Sequence, residues 1–527
     1  MRLGGLPAIS LIALCVATAP AGAATLRDAL VNAYNTNPTL TGSRAGVRVV
    51  DEGVAIAKAG ARPTLGGNGG YTENVQTTSG LTSAAGRQLS AGLSATLPIY
   101  QGGRVRNSIE AAELRVQASR ADLRSDEGSV FLSVVTAYMD VIRDQSIVEL
   151  SANNVKVLQT NLQANRDRFE VGDLTRTDVA QSEARLAIAQ SQLESAQAQL
   201  IGSRESYLRV VGLPAAALEP PPPLPHLPTD PQQAVATAIA NNPSLAAVRR
   251  ASEAAGFDVA TARAQRLPQV SAVADGSYVN YLNSLNGISG FNVSQSGTTA
   301  SVGAQLTLPL YQGGLPSAQV RQAQASQSQQ LEQVVEVERG IIAQTRAALS
   351  NYAATLAVIN SSETAVSANE LALEGVRAEQ SVGTRNVLDV LNAEQELLSS
   401  RVQLVTARHD AYVAGFQLLA SLGRAEARDL GLDGLTLYDP QVNYQRVRGK
   451  ASDWSDDREP ATQATRTVDE VVGPLGPVLS PPGQAPAPST VPADARPTGG
   501  DMPSGATSPT PPDARPSARS SVTPQGN

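Results

Sequence analysis

Side chains suited to covalent or metal chemistry are sparse in this sequence of 527 residues. The two histidines, His226 and His409, stand far apart, and the single cysteine, Cys15, lies in an apolar N-terminal stretch. The sequence has no phosphate-binding loop, no Cys/His metal spacing and no Gly-x-Ser-x-Gly elbow. We therefore expect solvated surface roles for both histidines, no cofactor, no metal and no enzymatic activity. The formal net charge of -7 argues against nucleic acid as a partner.

Two acidic residues are more informative, because each follows a glycine by six residues. The segments "VGDLTRTDV" and "VGTRNVLDV" place Asp178 after Gly172 and Asp389 after Gly383. Glycine adopts the left-handed geometry that ends a helix, and an acid is favourable in the first turn of the next helix. Both segments are therefore predicted to be the tips of helical hairpins.

The two tips occupy equivalent places in a repeat that fills most of the chain. Pro38 returns as Pro243, at an offset of 205, and Tyr100 returns as Tyr311, at an offset of 211. The difference between the offsets arises between these two pairs, which is where a variable loop belongs. The sequence therefore predicts two structural repeats of the same order.

Each copy contains residues that alternate between apolar and small or polar types, in "LSAGLSATLPIYQ" and in "SVGAQLTLPLYQ". Alternation over about ten residues is typical of a tilted transmembrane β-strand, and also of a half-buried strand in a soluble sheet. Two strand hairpins at matching places favour the membrane interpretation. The first residues of the chain are typical of an export signal. No later segment has the ~18 consecutive apolar residues of a membrane-spanning helix.

The motif "YQGG" closes both runs and is predicted to be a joint from strand to helix. Proline is tolerated where strand pairing ends, tyrosine suits the boundary between membrane and water, and glycine lets the backbone turn. The alternative is a pair of tyrosines packed beneath a turn. The predicted joint residues are Tyr100, Gly102, Gly103, Tyr311, Gly313 and Gly314.

Long helices are predicted after each joint, because apolar residues recur there at intervals of three and four and prolines are nearly absent. Sixty-odd residues at ~1.5 Å each reach on the order of 100 Å. One amphipathic helix is also predicted at the start of each copy, before a proline that ends it. The predicted long helices cover residues 104 to about 168, 174 to 211, 315 to about 380 and 386 to 422.

Four strands per chain cannot close a membrane barrel, since the smallest such barrels use about eight strands. Two copies would give about eight strands around a filled lumen, whereas three would give about twelve around an open pore. We therefore expect a mixed α and β membrane protein. Its trimer would form a 12-stranded β-barrel, and the long helices would continue the barrel as a helical tube.

This combination resembles the TolC family of outer-membrane efflux and secretion channels, from about residue 25 to 425. The most specific matches are "RFEVGDLTRTDVAQSEARL", "LPLYQGGLPSAQVRQAQ" and "SVGTRNVLDVLNAEQELL". The resemblance implies a homotrimer in outer-membrane lipid whose helical barrel extends into the periplasm. Its implied partners are a periplasmic adaptor, also called a membrane fusion protein, and an inner-membrane pump of RND or ABC type.

The chain accordingly divides into six segments. A signal peptide, with removal after Ala23, would place the mature protein outside the cytoplasm. The expected segments are the signal peptide 1–23, the first repeat 24–212, a Pro-rich connector 213–231, the second repeat 232–425, a C-terminal equatorial segment 426–450 and a disordered Pro/Ser-rich tail 451–527.

The resemblance also assigns roles to the hairpin tips, which form the closed periplasmic end and the adaptor docking surface in that family. It implies that Asp178 pairs with Arg385 of a neighbouring subunit as a gate, and that Asp389 forms a constriction ring. Two positions depart from the family pattern: Gln380 replaces a gate tyrosine and Asn392 replaces a second ring aspartate. The docking residues implied are Val171, Gly172, Leu174, Val382, Gly383 and Thr384.

The expected function is the exit duct of a tripartite export system, which carries substrates across the periplasm and the outer membrane. An alternative is the outer-membrane component of type I protein secretion, and the duct's own sequence does not choose between drug, metal and polypeptide cargo. A further alternative is a trimeric coiled-coil surface stalk. A stalk requires sustained heptads and an anchor at one end of the chain, whereas the predicted strands here lie inside the repeats.

Overall fold

A computed structural model of the chain describes residues 25–75, 86–215, 217–284, 294–432 and 437–468. The predicted signal peptide, Cys15 and the predicted tail beyond residue 468 lie outside these ranges. The helices and strands of the first copy are α1 (Leu26–Thr36), α2 (Pro38–Ala59), β1 (Thr64–Glu73), β2 (Arg87–Tyr100), α3 (Arg104–Glu170) and α4 (Arg176–Val211). Those that follow are α5 (Pro231–Asn241), α6 (Pro243–Ala264), β3 (Gln269–Asn280), β4 (Ser296–Thr307), α7 (Leu315–Ser381), α8 (Val387–Ser421) and α9 (Pro440–Val447).

The first helix of each copy is broken in two, so the prediction of a single amphipathic helix was wrong. Proline has no N–H and is favoured at the first position of a helix, so Pro38 and Pro243 each start a new helix. The preceding asparagines cap these helices, as Asn37 Oδ1 accepts from Thr39 N at 2.9 Å.

The four strands form one antiparallel sheet in the order β1-β2-β3-β4, so the two copies meet at the β2–β3 pair. The register places apolar and small side chains on one face, with Leu93 opposite Gly67 and Gly276 and Ala274 opposite Val302. The other face carries mainly Thr, Ser, Asn, Gln and Gly, together with Val273, Asp275 and Val279. Large side chains on the apolar face are exposed, including Leu65, Leu93, Val302 and Leu306.

The two joints differ in detail. Tyr100 is the last residue of β2, whereas β4 ends at Thr307, before the Leu308 and Leu310 that the alternation had included in the strand. Within the described residues, β4 pairs on one side only and is followed by Pro309, which cannot donate to a sheet. Gly102 has φ of +60°, and an added Cβ there would lie 2.6 Å from Leu267 Cβ.

The long helices form two antiparallel hairpins, which we name hairpin 1 (α3 and α4) and hairpin 2 (α7 and α8). Each first helix has 67 residues, about 100 Å at ~1.5 Å per residue. Within the described ranges, no helix is apolar over a stretch long enough to span a membrane. The main apolar core contains Phe131 and Tyr138 of α3, Tyr207 of α4 and Phe416 of α8.

The connector and the C-terminal segment pack against this core. Tyr138 Oη donates to the Glu219 carbonyl at 2.6 Å, and Tyr412 Oη donates to the Pro222 carbonyl at 3.1 Å. Residues 451–468 have neither helix nor strand. They are nevertheless attached to α9, because Arg446 donates to both carboxylate oxygens of Asp457 at 2.7 Å.

Candidate functional site

The tip of hairpin 1 is built around a capping box. Thr175 precedes α4, and Asp178 Oδ2 accepts from Thr175 N at 3.0 Å and from Thr175 Oγ1 at 2.7 Å. The hydroxyl bond, followed by the backbone bond, holds the pKa of the Asp178 carboxyl below its ordinary value. Within the described part of the chain, no hydrogen bond reaches Asp178 Oδ1. One oxygen of a carboxylate that stays ionised is thus left for a partner.

The tip of hairpin 2 has the same design. Asn386 precedes α8 and accepts from Asp389 N at 2.8 Å, while Asp389 Oδ2 accepts from Asn386 N at 3.3 Å. Arg385 Nε donates to Glu379 at 2.8 Å, and its Nη1 lies 4.0 Å from Asp389. The Glu379 bond raises the pKa of Arg385 above its ordinary value. Arg385 therefore stays charged and already has one partner within its own hairpin.

The predicted pair of Asp178 and Arg385 joins two copies of the chain, so it stays a prediction. Gln380, at the position of the family's gate tyrosine, is half-buried, and its carbonyl accepts from Gly383 N at 3.0 Å. Asn392 accepts from Arg185 of α4 at 2.7 Å. Arg185 was not among the predicted site residues, although it holds one predicted ring position against hairpin 1.

The predicted docking residues differ in exposure. Val171 is 77% exposed and Val382 is 74% exposed, so both tips present an apolar side chain to the surroundings. Leu174 is instead half-buried, against an apolar cluster that includes Val387 and Leu391 of α8. That cluster holds the two hairpins together just above their tips.

Hairpin 2 carries a ladder of three ion pairs at heptad spacing. Going toward the tip, Glu363 pairs with Arg408 at 3.0 Å and Glu370 pairs with Arg401 at 2.7 Å. At the third rung the signs are reversed, because Arg377 of α7 pairs with a carboxylate of α8 at 2.9 Å. That carboxylate belongs to Glu394.

The reversed rung links the hairpins to each other. The Glu394 side chain is 5% exposed, in contrast to about half for its partner Arg377. Both of its oxygens also accept from Asn161 Nδ2 of α3, at 2.9 and 3.1 Å. Sequence reasoning missed Glu394. The signal that could have revealed it is a spacing of seven residues between charged side chains. This spacing occurs on α7 in Glu363, Glu370 and Arg377, and again on α8 in Glu394, Arg401 and Arg408.

The histidine prediction was wrong for one of the two residues. His226 is exposed in the connector, but His409 is 7% exposed because its face of α8 packs on α3. Within the described residues, no group of three or more His, Cys, Asp or Glu side chains could hold a metal ion.

Comparison with known proteins finds similarity to outer membrane proteins at both the family and the single-protein level. The family model described as outer membrane efflux protein matches residues 29–212 and 234–424. The outer membrane efflux protein BepC of Brucella suis is 36% identical over 428 residues, covering 81% of this chain and 91% of BepC. The outer membrane protein TolC of Escherichia coli is 25% identical over 410 residues, covering 75% of this chain and 81% of TolC.

A solved structure has the same fold. The Campylobacter jejuni CmeC outer membrane channel superposes with a TM-score of 0.68 at 15% identity, covering 80% of this chain and 89% of that chain. The predicted location in the outer membrane is thus supported by relatives that are themselves named outer membrane proteins. This chain belongs to the outer membrane efflux protein family.

Proposed function

We propose that this protein is the exit duct of a tripartite export system, which conducts substrates through the periplasm and across the outer membrane. The observation that carries the proposal is the four-stranded sheet, whose uncovered apolar face includes Leu65, Leu93 and Val302. A soluble protein would cover such a face, whereas lipid favours it. The long helical hairpins then supply a conduit of about the length that crosses a periplasm.

Three copies of the chain form the duct in this proposal. Within the described residues, β1 and β4 each pair on one side, so each has an edge to offer. If β4 of one copy pairs with β1 of the next, three copies close a barrel of about twelve strands with an open lumen. The hairpins of the three copies would then lie side by side as a helical tube.

The gate lies at the hairpin tips. Arg385 donates to Glu379 through Nε, which leaves its other N–H groups available for Asp178 of a neighbouring copy. Asp389 is 35% exposed, and three such carboxylates around a narrow lumen would favour cations. Opening requires hairpin 2 to move relative to hairpin 1, so the Glu394 bonds to Asn161 would break as well.

The exposed Val171 and Val382 would contact a periplasmic adaptor, and an inner-membrane pump would supply the driving force. The expected boundaries remain part of the proposal: a signal peptide 1–23, the two repeats 24–212 and 232–425, the connector 213–231, the equatorial segment 426–450 and the tail 451–527.

The test is conduction by the purified full-length protein in planar lipid bilayers, together with its mass in detergent. We expect a trimer that forms discrete, poorly conducting channels. A protein that has the mass of a trimer but conducts no ions would be a stalk, and the proposal would be wrong.

The cargo class is a separate question, which crosslinking in the native host addresses. We expect an adaptor and a pump to be recovered with the wild-type chain. An RND pump would indicate drug or metal efflux, whereas an ABC transporter would favour polypeptide secretion. Substituting Val171→Asp and Val382→Asp should prevent recovery of the adaptor, and unchanged recovery would remove these residues from the docking surface.

A further inference from the structure

The buried histidine lies where the two repeats meet. His409 of α8 is held between two carboxylates: its Nε2 lies 3.0 Å from Asp140 Oδ1 of α3, and its Nδ1 lies 2.8 Å from Asp410 Oδ1. The Nε2 contact is close but not aligned as a hydrogen bond. Its strength therefore depends on the charge of the ring more than on directional bonding.

A chain of charged groups continues from Asp140 along α3. Arg143 forms an ion pair with Asp140 at 2.9 Å and donates a hydrogen bond to Asp144 at 2.7 Å. Asp144, whose side chain is 3% exposed, also accepts a hydrogen bond from the hydroxyl of Ser203 on α4. One connected set of polar groups thus joins α8 of hairpin 2 to both helices of hairpin 1.

The charges in this set do not balance when the ring is neutral. The groups that face or support the ring are Asp140, Arg143 and Asp144 on α3 and Asp410 on α8, which together carry three negative charges and one positive charge. On α4 the hydroxyl of Ser203 adds no charge. A proton on His409 reduces the excess negative charge and turns the Asp140 contact into an ion pair between hairpins.

We propose that His409 is a pH-sensitive joint that binds hairpin 2 to hairpin 1 more firmly when its ring is protonated. The joint lies 20 residues along α8 from Asp389, about 30 Å above the tip at ~1.5 Å per residue. It is therefore the fixed end about which the tip of α8 would swing. Only its effect on conduction rests on the proposed function as a gated duct.

The direction of the pH dependence follows from the surroundings of the ring. Burial lowers the pKa of His409, but the contacts with Asp140 and Asp410 outweigh burial and raise it above its ordinary value of about 6.5. The link is thus fully present below about pH 6.5 and is lost as the pH rises through the raised pKa. No other histidine lies in the described core, since His226 is exposed.

Histidine-selective ¹⁵N labelling measures this directly, because the full-length chain has two histidines. The substitution His226→Gln assigns the two signals in the detergent-solubilised trimer. We expect His409 to titrate above about 6.5, and Asp140→Asn to lower its pKa while leaving the ring in place. A His409 that titrates at or below that value, or that ignores Asp140→Asn, would overturn the joint.

Channel recordings test the consequence for the gate. Between pH 6 and pH 8.5 we expect the open fraction of the wild type to rise several-fold, and that of His409→Gln to stay constant. His226→Gln is the matched control and should keep the wild-type response. If His409 titrates as expected but the wild type ignores pH, the joint does not act on the gate and the proposal is wrong. A protein that never conducts would instead refute the proposed function as a duct. The titration of His409 would then still test the joint between the hairpins.

Discussion

Substitution of Glu394 is the most direct test of the contacts that hold the proposed closed state of the duct. Glu394→Gln keeps the size of the side chain but removes its negative charge. In the wild type, the charged carboxylate binds Arg377 at 2.9 Å and accepts two hydrogen bonds from Asn161. We expect the variant to open more readily, because the bonds to Asn161 join hairpin 2 to hairpin 1. The Arg377 bond lies within hairpin 2, and its loss frees the helix that carries Glu394.

The magnitude follows from burial. Breaking a fully buried ion pair costs about 3–5 kcal/mol. Arg377 is half-exposed and regains contact with water, so the free energy lost here is closer to that of a hydrogen bond to a charged group, about 1.5–3 kcal/mol. Since about 1.4 kcal/mol is a factor of ten, each subunit should shift the ratio of closed to open forms by roughly tenfold to a hundredfold.

Single-channel recording in planar bilayers is the assay, and the ladder supplies its own control. Glu370 and Arg401 form an equivalent rung, but both side chains are about half-exposed. An exposed pair contributes about 0.2–1 kcal/mol, so Glu370→Gln should conduct almost like the wild type. Asn161→Ala should reproduce most of the Glu394→Gln effect. Wild-type conductance in Glu394→Gln, or equal opening in Glu370→Gln, would refute the reasoning.

Three further outcomes are expected. Arg385→Ser should raise single-channel conductance, since it removes the proposed bond between copies; unchanged conductance would exclude Arg385 from the gate. Asp389→Asn should lower the preference for cations, measured as the reversal potential in a salt gradient, and an unchanged potential would place Asp389 away from the constriction. Gly102→Ala should lower the midpoint of thermal unfolding more than Gly313→Ala, although both glycines have φ of +60°, because only Gly102 faces Leu267 within 4 Å. Equal unfolding midpoints for the two variants would show that the left-handed backbone conformation alone determines the loss of stability.

The elements that local patterns specify were predicted well. The boundaries predicted for the four long helices fall within two residues of those observed, because a left-handed glycine or a capping residue marks each end. The division into two consecutive helices at the start of each copy was missed, although Asn37–Pro38 and Asn242–Pro243 are strong signals for a helix start. The end of β4 was misjudged because alternation persists in the sequence after pairing has stopped.

Side-chain partners across the hairpins were harder to predict. The recurrence of apolar residues at intervals of three and four assigns Glu394 and His409 to solvent-exposed positions of α8. In the structure both are buried against α3, which is distant in the sequence. Their burial depends on the crossing of two hairpins from different repeats. The tip acids were found because capping is local, so Asp178 and Asp389 needed no knowledge of the tertiary structure.

The open edges of the sheet have a consequence for biogenesis. Among the residues that the structure describes, β1 and β4 each have one unpaired side and the sheet has an uncovered apolar face, and these features favour aggregation of a newly exported chain. The helical hairpins, by contrast, have their own apolar core and can form before the strands find their neighbours. In the proposed trimer, folding of the strands is linked to the concentration of other copies and to the availability of lipid. Assembly factors that shield these edges would raise the yield of the duct without altering its final stability.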